Sequence, residues 1–184
     1  MKRVSLFSLI TALVISSVAC SQDLGYNTKD LGIEYLWENK SPGINLQSAF
    51  NAKLHHSFII SVGYKQAGRS IPNTAFEEKG KGFGGSLGYR YYFRVMPKGV
   101  YLGFRAHLWS LSMHRSSDPT ATKSNLLVGQ PSAELGYTAL INDMAFITFF
   151  YSAGAQIQVS AADPSYGYGK NTVSTIGISG GFRF

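Results

Sequence analysis

The sequence predicts an all-β chain folded as an eight-stranded antiparallel up-and-down transmembrane barrel. Three observations predict it. Between Gly32 and Phe184, eight stretches of about ten residues carry apolar side chains at alternate positions, and a period of two is the signature of strands. The apolar row of each stretch is free of charge, as a face turned to hydrocarbon must be. Tight turns alternate with longer polar connections, the arrangement of barrels that cross a bilayer with short turns in the periplasm and loops outside.

The chain opens with a leader, Met1 to about Ser21. Lys2 and Arg3 form a positive n-region, Val4 to Val18 is apolar apart from Ser and Thr, and small residues follow. This stretch is too short and wrongly flanked for a spanning helix. Two cleavage readings stand. Ala19-Cys20-Ser21 before Gln22 fits a small-x-small signal peptidase site, and Ser17-Val18-Ala19 before Cys20 is a poor lipoprotein box. Cys20 is the only cysteine, so there is no intramolecular disulfide and no cysteine-based metal cluster. Residues 22–184 then form one barrel domain.

The strands fall at roughly 29–38, 43–54, 57–66, 82–94, 99–113, 125–141, 144–160 and 172–184. Each is long enough to cross a bilayer at a tilt, which takes about 9–11 residues. Apolar rows follow from the alternation. They run Leu31, Ile33, Tyr35, Trp37 in the first strand, Ile44, Leu46, Phe50 in the second and Phe58, Ile60, Val62, Tyr64 in the third. The fourth offers Phe83, Leu87, Tyr89, Tyr91, Phe93, the fifth Val100, Leu102, Phe104, Leu108 and the seventh Ile147, Phe149, Tyr151, Ile157. The last strand offers Ile176, Ile178, Phe182 and Phe184. Tyr35, Trp37 and Tyr64 gather at one rim, and Tyr89, Tyr91, Phe93, Tyr137 and Phe184 at the other, as headgroup girdles do. Short turns at His55-His56, 95–99 and Asn142-Asp143 alternate with loops at 67–81, 114–124 and 161–171.

The opposite rows hold the strand charges. Glu34, Arg90, Arg94, Arg105, Glu134 and Arg183 are expected to face inward with His107, among many glycines. An eight-stranded barrel is only wide enough for its own side chains, and buried charges must pair. Glu34 and Glu134 are therefore expected to pair with members of the set Arg90, Arg105 and Arg183, closing the interior. A narrow channel is the competing outcome. A secreted lipocalin-like barrel has the same strand number with the faces exchanged. The glycine-rich, modestly charged polar face and the terminal aromatic residue favour the membrane.

Composition agrees. Charged residues make up 15% of the chain, with 11 Tyr, 12 Phe and 20 Gly, a mix that suits strands better than amphipathic helices. The formal charge is +7, or +5 without Lys2 and Arg3. No run of Lys and Arg clusters as a nucleic-acid surface would require, so no nucleic-acid partner is expected.

At Thr175-Ile176-Gly177-Ile178-Ser179-Gly180-Gly181-Phe182-Arg183-Phe184 the chain resembles the carboxy-terminal signal of outer-membrane barrels. Ile178, Phe182 and Phe184 would be the residues that the barrel assembly machinery reads. Gly88-Tyr89-Arg90-Tyr91-Tyr92-Phe93-Arg94, with the following turn and Gly99-Val100-Tyr101-Leu102-Gly103, looks like a hairpin of small Bacteroidetes-type barrels. As a whole the chain resembles the OmpA/OmpX-type class of eight-stranded barrels. That resemblance implies an integral outer-membrane location, extracellular loops, periplasmic termini, contact with membrane lipid and lipopolysaccharide, and a monomer. The sequence ends with the barrel and carries no peptidoglycan-binding domain after it, which argues against an OmpA-like tether.

Some small barrels modify lipids. His114, with Ser116 and Asp118 close by, is the candidate Ser–His–acid set at the outer rim, against the simpler reading of a polar loop. His55-His56-Ser57 is a weaker candidate because it lies in a short turn. Gly80-Lys81-Gly82-Phe83-Gly84-Gly85 matches a dinucleotide fingerprint only formally, because a strand and not a helix follows it. Glu77-Glu78-Lys79 reads as a solvated loop. No metal cluster or cofactor is expected. The sequence thus points to a non-enzymatic envelope barrel that works through its loops. A lipid A-modifying enzyme centred on His114 is the alternative, to be separated from it by mass spectrometry of lipid A.

Overall fold

The computed structural model describes residues 28–38, 41–52, 55–70, 77–94, 97–115, 124–161 and 171–184. The leader with Cys20, Lys53, and the candidate loop residues Ser116 and Asp118 lie outside the described residues. Eight strands form one closed barrel: β1 (Thr28–Glu38), β2 (Ser41–Ala52), β3 (His56–Ser70), β4 (Glu77–Tyr92), β5 (Gly99–Arg115), β6 (Ser124–Ile141), β7 (Ala145–Ala161) and β8 (Asn171–Arg183). Each strand pairs antiparallel with its chain neighbour, and β8 pairs back onto β1 from Asp30↔Arg183 to Glu38↔Thr175. Reciprocal hydrogen bonds between Lys29 and Phe184, at 2.9 and 2.8 Å, fasten that seam at its lower end. Closure leaves no edge strand unpaired among the described residues.

The pleat sorts side chains as the alternation requires. Glu34 is 0% exposed and Arg105 1%, whereas Phe83 is 64% and Leu87 65% exposed. Exposed apolar side chains ring the wall on every strand, and the charges of the strand interiors turn inward. This sidedness is the reverse of a lipocalin-like barrel, whose apolar row lines a cavity, and it overturns that alternative.

Strand lengths differ from the sequence expectation in two ways. β3 and β4 continue pairing through Ala67↔Gly80 and beyond, so much of the expected loop 67–81 is strand, while β5 runs to Arg115 and β6 starts at Ser124, which takes only the ends of the expected loop 114–124 into strand. Backbone pairing persists there without an apolar row because those rungs do not need to face hydrocarbon. At the other end β4 stops at Tyr92, and Phe93 and Arg94 bend into the turn.

The turns explain themselves. Asn142 and Asp143 have φ of 51° and 55°, and Met144 N–H bonds the Ile141 carbonyl at 3.2 Å. This is a two-residue turn of the mirror-image type that matches strand twist, and Asn and Asp tolerate its left-handed backbone. Gly99, at φ +84°, starts β5 where a side chain would be strained. The β6–β7 ladder passes from Gly129↔Ile157 to Ser132↔Gly154 without pairs for Gln130 and Pro131, consistent with the missing N–H of proline, and its register shifts between Leu127 and Val128.

Candidate functional site

The one concentration of polar chemistry among the described residues is the lumen. Its buried charges number four acids (Asp30, Glu34, Glu38, Glu134) and four bases (Lys65, Arg90, Arg105, Arg183). They lie in tiers. At the end bearing the termini, Arg183 grips Asp30 through two bonds, Nε to Oδ1 at 2.6 Å and Nη2 to Oδ2 at 2.7 Å, and reaches the Pro97 carbonyl at 3.3 Å. Above it Tyr92, Thr138 and Thr148 form a hydroxyl chain with spacings of 3.2 and 2.9 Å.

The central tier is built on Glu134. Its Oε1 accepts from Arg90 Nε at 2.9 Å and from the Tyr101 hydroxyl at 2.6 Å, while Arg105 Nε lies 3.2 Å from Oε2. Arg105 Nη1 also donates to Glu34 Oε2 at 2.5 Å, and Asn45 donates to Glu34 Oε1 at 2.8 Å. Two guanidinium groups thus share two carboxylates. Their faces rest on rings: Arg90 lies 4.6 Å from the Tyr101 centroid and Arg105 5.1 Å from that of Phe150. Cation–π contact of this kind partly replaces lost hydration. The next tier joins Lys65 to Glu38 at 2.7 Å, with Gln130 bonded to both and Lys65 above the Trp109 ring. Toward the loop end the lumen turns apolar, filled by Trp109, Leu111, Met113, Leu126 and Val128.

Glycine makes room for the large interior rings. Tyr101 faces Gly136 directly across β5–β6, and Phe150 faces Gly177 across β7–β8. A Cβ at Gly136 would lie 2.5 Å from the Tyr101 ring, and one at Gly177 would collide with Phe150. His107 stacks on Trp109 with centroids 5.9 Å apart beside a cavity of about 10 Å³, room for about one water.

The expected interior residues Glu34, Arg90, Arg105, Glu134 and Arg183 all lie in these tiers, with His107 partly buried beside them. Two expectations are corrected. Arg94 is exposed outside the wall, because β4 ends two residues before it. Arg183 pairs with Asp30 and not with Glu34 or Glu134, because the β1–β8 register sets Asp30 directly opposite it. Asp30, Asn45 and Tyr101 were not singled out from the sequence. The same two-residue period marks all three, since Asp30 precedes Glu34 by four, Asn45 precedes the buried Gln47 by two and Tyr101 precedes Arg105 by four.

The alternative catalytic centre gains no geometry. His114 is exposed at the end of β5, opposite Lys79, and no described residue hydrogen-bonds its ring. Among the described residues no three His, Cys, Asp or Glu side chains gather as a metal site. Ile178, Phe182 and Phe184 project from the wall, exposed.

Comparison with solved structures fits this geometry. The chain is similar to Ail, the attachment invasion locus protein of Yersinia pestis, whose crystal structure holds the heparin analogue sucrose octasulfate. The identity is 12%, the match covers 87% of this chain and 100% of that one, and the TM-score is 0.53. It is also similar to the N-terminal β-barrel domain of OprF from Pseudomonas aeruginosa, at 11% identity, 88% and 100% coverage and a TM-score of 0.50. The fold is that of the small outer-membrane β-barrels. No family model and no curated protein matches the chain. At such identities the outer-membrane barrel fold is what the chain shares with these proteins.

Proposed function

We propose that the chain is an integral protein of a bacterial outer membrane. It has no catalytic activity, its lumen is closed to solutes, and it serves envelope integrity or adhesion through its extracellular loops. One observation carries the reading. A belt of exposed, uncharged apolar side chains encircles a wall whose charges, among the described residues, are inside or at the rims. Water would not tolerate so large an apolar surface, whereas a bilayer requires it. The rim with both termini and the tight turns is taken to lie in the periplasm, and the longer connections outside. The exposed Ile178, Phe182 and Phe184 would meet the barrel assembly machinery, and the belt would meet membrane lipid and lipopolysaccharide.

Fractionation with heat-modifiable gel mobility tests this. The expected result is recovery in the outer membrane, with a band that shifts on boiling. Recovery in the soluble periplasm would end the membrane reading, and an altered lipid A profile on expression would restore the enzyme.

A further inference from the structure

We infer that the rim bearing the termini holds a binding site for an anionic phospholipid headgroup of the phosphatidylglycerol type, built by the turns after β2 and β4. The choice of leaflet rests on the orientation proposed above; the headgroup class rests on the residues themselves.

Because β3 pairs with β4, the two turns lie side by side. His56 sits opposite Tyr91, and Tyr92 N–H donates to the His55 carbonyl at 2.8 Å. The His55 ring stacks on Tyr91 with centroids 5.6 Å apart, and Tyr91 meets Phe93 edge-on at 5.8 Å. His55 Nδ1 lies 2.8 Å from the Tyr92 carbonyl oxygen. A carbonyl only accepts, so Nδ1 carries the hydrogen, and in the neutral ring Nε2 is left as an acceptor. His56 Nδ1 is held 2.6 Å from the Tyr89 hydroxyl.

Arg94, exposed, and Lys98, partly exposed, complete the arc from the β4–β5 turn. No described carboxylate pairs with either. Asp30 is engaged by Arg183, and Asp143 belongs to the β6–β7 turn, one hairpin further round. Toward the membrane the arc runs directly into exposed Phe58 and Tyr91. A partner must therefore combine a negative head with an apolar tail. Arg94 and Lys98 supply donors for a phosphodiester, and His55 Nε2 accepts from a headgroup hydroxyl. A phosphatidylglycerol carries both groups on an acyl-bearing glycerol, which a free phosphate does not.

The test uses the whole folded chain in nanodiscs of phosphatidylcholine doped with spin-labelled lipids, reading the motionally restricted fraction by electron spin resonance. The expected result is a preference for phosphatidylglycerol over phosphatidylcholine of about fivefold or more, the worth of one basic residue near an anionic partner. R94Q/K98Q should abolish it. H55F keeps the ring stack but removes both ring nitrogens, Nε2 together with the Nδ1 bond to Tyr92, and should erase the preference for phosphatidylglycerol over phosphatidic acid while leaving that over phosphatidylcholine. Equal restriction of phosphatidylglycerol and phosphatidylcholine, or an undiminished preference in R94Q/K98Q, overturns the inference. The boiling shift of the same sample separates the two readings. A barrel that is folded and inserted but indifferent to headgroup refutes this inference alone; failure to insert refutes the membrane reading beneath it.

Discussion

At the scale of single residues, Glu134 does the most with the least freedom. It answers Arg90, Arg105 and Tyr101 at once, with its side chain almost fully buried. Glu134→Gln would leave two guanidinium groups sharing the single charge of Glu34. Removing one partner of a buried ion pair costs about 3–5 kcal/mol, so urea unfolding of the barrel refolded in vesicles should move to clearly lower denaturant. Arg94→Gln is the contrast. Its side chain is exposed, and its unfolding midpoint should shift by no more than about 0.5 kcal/mol. Gly177→Val tests the ring cradles. The added side chain meets the Phe150 ring, and overpacking of about 1–3 kcal/mol should appear in the same assay. Among these residues Glu34, Arg90 and Arg105 were legible from a period of two alone. The match of Tyr101 to Gly136 and of Phe150 to Gly177 was not, because it exists only once the register between strands is known.

At the scale of the strand, the apolar rows identify the stretches that cross the membrane and say little about where pairing stops. Residues 67–70 and 77–81 lack a lipid-facing pattern, so they read as loop, yet β3 and β4 pair through them. Pro131 breaks the usual exclusion of proline from an inner strand, and the β6–β7 ladder simply omits its rung. A strand-level test follows from sidedness. Leu87 is 65% exposed in β4, between the rows of Phe83 and of Tyr89 and Tyr91. Leu87→Lys should cost about 2–4 kcal/mol in vesicles. Folding yield into thin-chain vesicles, where the lysine reaches water sooner, should recover part of the loss.

At the scale of the molecule, the closed lumen proposed above should carry no current. Planar bilayers with the wild-type chain are expected to show no conductance steps; regular openings would mean that the tiers part. Four buried acids stand against four buried bases among the described residues. Three pairs reach across the lumen from strands that are not neighbours, Glu34 on β1 to Arg105 on β5, Lys65 on β3 to Glu38 on β1 and Arg90 on β4 to Glu134 on β6, while Arg183–Asp30 and Arg105–Glu134 join neighbouring strands. The first two hairpins could not neutralise themselves if released alone into hydrocarbon: β1–β2 would bring Glu34 without Arg105, and β3–β4 would bring Lys65 and Arg90 without Glu38 and Glu134, whereas β5–β6 holds a pair of its own in Arg105 and Glu134. Stepwise insertion, one hairpin after another, would strand naked charge in oil from the first hairpin onward. Entry into the bilayer and fastening of the first strand to the last must accordingly occur as one concerted event.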